Sequence, residues 1–437
     1  MSTMTALRTE LGRTTPFRRA GRLSRLSGLE VCAKGVKGAI GDLFWVHAAS
    51  GTAEPVPAEV IAIADGEVRL LPLGALDGMA VGDWVEPAGT RLQLEVTPEL
   101  AGRVLDALGR PIDGKGPLGG RRSRVELDRA VPNPMQRQRI TEPLSLGVRV
   151  IDTLLPCGRG QRIGIFAGSG VGKSTLLGML ARGANADAVV VGLVGERGRE
   201  VREFLEDDLG PEGAARATVV VATSDEPALL RLRAAVTATR IAEWYADQGL
   251  DVLLLMDSLT RFAMAQREVG LAAGEPPTVR GYTPSVFNAL PKLLERTGPQ
   301  PRGTITALYT VLVEGDDLTE PITDHARSIL DGHIVLSRRL ASAGHFPTVD
   351  ALESVSRLAS KICTDEQLAL AYRLRRLLAG LEESRDLIEI GAYVPGTNPV
   401  TDEALRRKDL ITGFLQQPRN QVCPADEAWQ LLEQVLR

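Results

Sequence analysis

Arg162-Ile-Gly-Ile-Phe-Ala-Gly-Ser-Gly-Val-Gly-Lys-Ser-Thr-Leu-Leu177 is the stretch on which the fold turns. Its first part, Ile163 to Ala167, is a short apolar run bounded by a glycine-rich turn, which reads as a buried strand. Gly168, Gly170 and Gly172 let consecutive backbone N–H groups point inward, and Lys173-Ser174-Thr175 then opens an apolar helix. Strand, glycine turn and Lys-Ser at this spacing form a phosphate-binding loop, with Ala167 where the strict pattern has its first glycine. Gly168, Ser169, Gly170, Val171, Gly172, Lys173, Ser174 and Thr175 would cradle the phosphates of a nucleoside triphosphate. Lys173 would meet the β- and γ-phosphates, and the Ser174 hydroxyl would ligate Mg²⁺.

Around this loop, from about residue 145 to 350, further apolar runs alternate with helical stretches. They are Ala188–Val194, Thr218–Thr223, Val252–Asp257, Thr304–Val313 and His333–Ser337. Runs apolar on both faces and separated by helices predict a parallel sheet covered on both sides, an α/β architecture. Ligands in such sheets sit beyond the carboxyl ends of the strands, which selects the residues to consider. Val252 to Met256 ends in Asp257, either a magnesium-site carboxylate beside the phosphate loop or a helix cap. Val189 to Val194 ends in Gly195-Glu196-Arg197, where Glu196 would orient and polarise an attacking water. Arg261 follows Asp257 by one helical turn and would meet phosphate or pair with a carboxylate.

Outside this core the texture changes twice. Residues 1 to 25 carry six arginines against the single acid Glu10, either a solvated basic tail or a docking segment for an acidic partner or an anionic membrane surface. From Gly21 to about Glu95, short β-type runs broken by glycine and proline suggest a small β-barrel, assigned here to residues 26–95. The nucleotide domain is assigned to residues 96–351. Residues 352–437 are rich in Leu, Ala, Arg and Glu at helical spacing, with Leu368, Tyr372, Leu374 and Leu378 near one face; they predict a helical C-terminal domain. The cluster Arg373, Arg375 and Arg376 reads as a solvated helix face.

A chain of 437 residues with 24% charged side chains can bury large cores, and its net charge of −4 argues against general polyanion binding. The barrel lacks the basic and aromatic interleaving of a nucleic-acid platform, so no nucleic acid is expected as partner. Four widely spaced cysteines match no metal site and suit a reducing compartment. No apolar run reaches membrane-spanning length and the N-terminus shows no apolar secretory segment, so the protein is expected in the cytoplasm, at most docked on a membrane, as a peripheral protein at the inner face of the plasma membrane.

From about residue 20 onward the chain resembles the flagellum-specific export ATPases, relatives of the virulence type III secretion ATPases and of the catalytic subunits of rotary ATP synthases. The resemblance is carried by Phe166–Gly178, Gly195–Phe204, Asp257–Glu268, Gly281–Ser285, Thr310–Asp317 and Ser328–Arg338. It implies that Glu196 activates water, that Arg197 and Arg261 contact the γ-phosphate, and that Phe346 stacks on adenine. It further implies that Arg357, in Ser354-Val-Ser-Arg, is an arginine finger given to a neighbouring protomer, hence a homo-hexamer. The implied cofactors are ATP and Mg²⁺. The implied partners are the flagellar export gate, regulator and stalk proteins, export substrates and chaperones. Ile390 to Pro399 followed by Asp402 resembles the flagellar rather than the virulence pattern. Departures from the family are His325, Thr348, and a segment Gln417 to Pro424 without the aromatic that synthase subunits place near adenine. The alternatives are the virulence-secretion homologue and a ring subunit that binds nucleotide without turnover; Glu196 argues against the latter.

Overall fold

The computed structural model describes residues 20–27, 30–49, 54–313, 315 and 317–437. Arg8, Arg13, Arg18 and Arg19 of the basic segment therefore lie outside the described residues. Contacts divide the chain into two compact units, one built mainly on residues before Leu94 and one holding nearly everything after it.

Among the described residues of the first unit, six strands close into a barrel: β1 (Gly21–Ser27), β2 (Glu30–Lys34), β3 (Leu43–His47), β4 (Val56–Ala64), β5 (Glu67–Pro72) and β6 (Trp84–Pro87). The order around it is β1-β2-β5-β4-β3-β6. Closure leaves no sheet edge, and the inward residues Val31, Phe44, Val46, Val60, Leu70 and Val85 are fully buried. The first strand begins at Gly21, where the β-type runs begin, ahead of the assigned boundary at residue 26. Strand β1 takes in Arg22 and Arg25, counted above with the docking segment, because Leu23 alternates into the core between them. The Arg22 guanidinium lies 3.4 Å from the Trp84 ring centroid on the barrel surface, a cation–π contact.

The second unit is built on a sheet with the order β14-β13-β8-β12-β11-β9-β10-β7. Its strands are β7 (Val104–Leu105), β8 (Arg162–Ala167), β9 (Ala188–Glu196), β10 (Ala217–Thr223), β11 (Asp251–Asp257), β12 (Thr304–Leu312), β13 (Gly332–Leu336) and β14 (Val349–Ser356). Each of the six apolar runs read from the sequence is a strand, and all six pair in parallel. Their burial explains this. Val252 to Met256 and Val189 to Val191 are at most 1% exposed, as expected where helices cover both faces. Each such side chain contributes roughly 1.5–3 kcal/mol of transfer free energy.

Among the described residues, strands without a long apolar run went unread. They include β7 and β14, at the two ends of this order, and the short Gly298–Pro299, which pairs antiparallel with β12. Strand β7 pairs in parallel with β10 through Val104 and Leu105, two residues inside a glycine-rich turn. Strand β14 is antiparallel to β13 and runs to Ser356, past the proposed boundary at 351/352. Its polar residues Asp350, Glu353 and Ser356 mark an edge strand, so the apolar run needed for recognition is missing.

Helix α1 (Arg149–Leu154) leads into the sheet and shows how local polar groups hold the loop before it. The buried Asp152 carboxylate accepts the backbone N–H groups of Leu146 at 2.8 Å and Gly147 at 2.9 Å, and the Ser145 hydroxyl at 3.3 Å. Asp152→Ala strands two buried donors. It should lower unfolding stability by about 3 kcal/mol, read as a fall in the urea midpoint at unchanged slope. An unchanged midpoint would mean that water reaches these donors.

The C-terminal helices include α6 (Asp365–Glu383), α7 (Pro399–Arg406), α8 (Lys408–Leu415) and α9 (Ala425–Leu436). Helix α6 starts at a capping box in which Thr364 and Gln367 satisfy each other's backbone N–H. Its buried stripe is Ala371, Leu374, Leu377 and Gly380, whereas Tyr372 is exposed, one position out of phase with the expected face. The arginine cluster also divides. Arg375 turns inward to the carbonyls of Leu154 and Ser354, Arg373 pairs with Glu403 at 2.6 Å, and Arg376 stays in solvent. The loop ending in Asn398 is tied by Asp402, which accepts the Tyr393 hydroxyl and the Gly396 N–H.

His325, unexpected from the family pattern, is accommodated between α4 (Pro284–Leu294) and α5 (Pro321–Ile329). Its ring sits edge-on to Phe287 and its Nε2 lies 3.2 Å from the Phe287 carbonyl oxygen.

Candidate active site

The phosphate loop joins β8 to α2 (Lys173–Gly183). Gly170 and Gly172 adopt φ of +76° and +85°, the left-handed region where a side chain is strained. Gly172 stands immediately before the helix, so the first-turn N–H groups of α2 face the loop interior. Val171 is buried beneath, and its carbonyl accepts the Thr348 hydroxyl at 2.6 Å. Thr348, a departure from the family pattern, thus fastens the phosphate loop to the start of β14.

Three parallel strands deliver the charged groups. Lys173 Nζ lies 2.5 Å from Asp257 Oδ1, at the end of β11, and 3.5 Å from Glu196 Oε1, at the end of β9. Asp257 also accepts the Thr310 hydroxyl of β12 at 2.6 Å. Thr310 went unread because nothing in sequence links it to a carboxylate 53 residues away. Burial pulls the Lys173 ammonium down, but Asp257 and Glu196 outweigh it and hold it above its ordinary range. Burial, and then the charge of Asp257, raises the Glu196 carboxyl well above the usual carboxylate range against the pull of Lys173.

These groups open into a cavity of about 640 Å³ lined by the loop from Ala167 to Thr175, with Glu196, Arg197, Glu200, Arg261 and Arg338. Arg261, on helix α3 (Leu259–Ala272), has a buried Nε with no hydrogen-bond partner among the described residues, so a cation faces this cavity with bonding capacity to spare. Arg197 lines it too, but its exposed guanidinium donates to Glu200 at 3.1 Å. Arg338 Nη1 lies 3.4 Å from the Ser169 carbonyl at the loop tip, a contact sequence reasoning missed. Glycine N–H groups, an ammonium and a partly orphaned guanidinium fit a polyphosphate. Ser174 and Asp257 fit Mg²⁺ held largely by water and phosphate oxygens; among the described residues no cluster of three or more ligating side chains would cage a metal.

A second cavity of about 680 Å³ adjoins the loop at Gly172 and Thr175 and is lined by Phe346, Met179 and residues 416–419. The Phe346 ring is half-exposed and lies 3.5 Å from where a Cβ on Gly172 would stand. Arg357 lines neither cavity. It is exposed just past the end of β14, and its Nη2 donates to the Arg327 carbonyl at 3.1 Å.

The fold and this site define the class: a P-loop ATP-binding enzyme with a parallel sheet, an N-terminal barrel and C-terminal helices. Residues 147–356 match the model of the ATP synthase alpha/beta family, nucleotide-binding domain, and residues 363–434 that of the T3SS EscN ATPase C-terminal domain. The flagellum-specific ATP synthase of Bacillus subtilis is 52% identical over 415 residues, 95% of this chain and 94% of that one. The type 3 secretion system ATPase of Xanthomonas euvesicatoria is 46% identical over 431 residues, 99% and 97% of the two chains. The assembled ATPase EscN of enteropathogenic E. coli superposes with a TM-score of 0.89 at 46% identity, over 95% of this chain and all of that one. EscN has also been solved in complex with its central stalk EscO. The chain belongs to the family of flagellum-specific and type III secretion ATPases.

Among the described residues no helix is long and apolar enough to cross a membrane.

Proposed function

We propose that this chain hydrolyses Mg·ATP to energise export of flagellar proteins through a type III secretion apparatus. The observation that carries the reading is the bridge from Lys173 to Asp257 and Glu196 at the mouth of the phosphate loop. Two carboxylates share one ammonium there, at the carboxyl ends of the sheet. The flagellar branch is supported by the higher identity to the B. subtilis flagellar protein than to the X. euvesicatoria secretion ATPase.

In this reading the loop N–H groups and Lys173 bind the β- and γ-phosphates, and Arg261 and Arg197 reach the γ-phosphate. Ser174 and Asp257 hold Mg²⁺, which when bound neutralises charge on the phosphate oxygens. Glu196 orients a water in line with the γ-phosphorus and takes its proton; its raised proton affinity suits that task. Phe346 carries the base. Arg357 completes the site of the next subunit in a homo-hexameric ring. Export substrates, chaperones and a stalk protein are the partners, and the basic N-terminal segment docks the cytoplasmic ring at the export gate, peripheral to the inner face of the membrane.

Lys173→Ala tests the phosphate site directly. Truncating one member of a desolvated charge pair typically costs about 2–5 kcal/mol, so the Kd for Mg·ATP should rise at least about 30-fold by calorimetry. A Kd within threefold of the wild-type value would overturn the assignment of the loop.

A further inference from the structure

The base cavity has one ring, Phe346, and opposite it a stretch of the C-terminal domain, residues 416–419, with no aromatic side chain. That stretch is held by polar bonds. Gln417 is 2% exposed, and its backbone N–H donates to the carbonyl of Phe346 itself at 2.9 Å. Its side-chain Nε2 donates to the carbonyls of Gly147 and Gln421, both at 2.8 Å, while its Oε1 accepts the Arg149 N–H at 2.9 Å. The Arg149 side chain reaches across in return: Nε donates to Phe414 O at 3.1 Å, and Nη2 to the carbonyls of Gly413 and Gln416. These carbonyls end helix α8, so a cation from the nucleotide domain caps a helix of the C-terminal domain.

We propose that Gln417 and Arg149 are positioning residues of the base subsite, locking residues 416–419 to the Phe346 wall and so setting affinity for the base. The inference rests on the nucleotide reading above and deepens it. Neither side chain has to touch the nucleotide. The Gln417 amide bonds the chain's own backbone through both Nε2 and Oε1, and the Arg149 guanidinium gives its Nε and Nη2 to the carbonyls that end α8. What the pair controls is the width of the gap between Phe346 and the segment facing it. The phosphate loop is fastened by the bond from Thr348, two residues beyond Phe346, to the carbonyl of Val171. Among the described residues it makes no hydrogen bond of its own to Gln417 or to the Arg149 side chain. The grip on the phosphates therefore does not run through residues 416–419. Loosening the C-terminal wall should be felt by the base and not by the phosphates. Docking of the C-terminal domain thereby enters the affinity for nucleotide.

The test uses the full-length chain with Mg²⁺ and two probes: a non-hydrolysable ATP analogue, and inorganic tripolyphosphate, which fills the phosphate loop and leaves the base cavity empty. For Gln417→Met, close in shape but without the amide bonds, the Kd of the analogue should rise about tenfold. The Kd of tripolyphosphate should stay within twofold. Arg149→Met, which cuts the same lock from the other domain, should reproduce this pattern if Gln417→Met fails to fold. Equal weakening of both probes in folded variants of either residue, or no weakening of the analogue, would overturn the inference while leaving the nucleotide reading intact. Failure of the wild-type chain to bind either probe would remove both.

Discussion

Glu196→Gln should bind Mg·ATP about as tightly as the wild-type chain and hydrolyse it about 10²- to 10⁴-fold more slowly. Two features of the site make the separation sharp. Glu196 stands 3.5 Å from Lys173, whereas Asp257 stands at 2.5 Å, so the ammonium keeps its stronger partner when Glu196 is neutralised. The loop glycines and helix α2 that grip the phosphates are untouched. Removing a carboxylate from a cavity meant for a polyanion also relieves repulsion, so affinity should hold or rise. What is lost is the acceptor for the water's proton, since an amide cannot take it. The measurements are steady-state phosphate release from assembled rings and calorimetric binding of ATP on the same preparation. Hydrolysis within tenfold of wild type would show that another group, such as Glu200 on the same cavity wall, accepts the proton.

How much of this site could be read before the coordinates follows from where its contacts run. Asp257 and Glu196 were legible because each ends a strand buried on both faces, and such strands announce themselves as unbroken apolar runs. Lys173 was legible because it opens a helix straight after a glycine-rich turn. Where a strand lies at the sheet edge, as β14 does, polar residues interrupt the run and the domain boundary was set inside it. Tyr372 was misplaced because Leu, Ala and Arg crowd α6 on several faces, and only packing against α7, α9 and α1 selects the stripe through Leu374. Thr310, Thr348 and Gln417 were invisible for another reason. Each acts through a hydrogen bond to a residue between 53 and 270 positions away, and a lone polar residue in sequence carries no sign of its partner. The residues that line the cavity were therefore readable where they end strands or open a helix, and the bonds that support them were not.

Arg357→Ala should leave nucleotide binding unchanged and abolish most hydrolysis by assembled rings, with loss on the order of 10³-fold or more. The geometry separates this residue from Glu196. Arg357 is exposed, lies outside both cavities of its own subunit, and its guanidinium donates to the Arg327 carbonyl. A guanidinium so placed has no access to the phosphates held by its own loop, yet is free to enter a neighbour's. Mixing is the decisive measurement. Arg357→Ala supplies intact phosphate loops, and Lys173→Ala supplies intact arginines, so a mixed ring pairs one good half of each. Random mixing puts a complete site at about a quarter of the interfaces, and activity should return toward that level although each variant alone is inert. Mixed rings, verified by mass, that stay as inactive as their parents would mean that Arg357 does not serve across the interface, and that each subunit completes its own site.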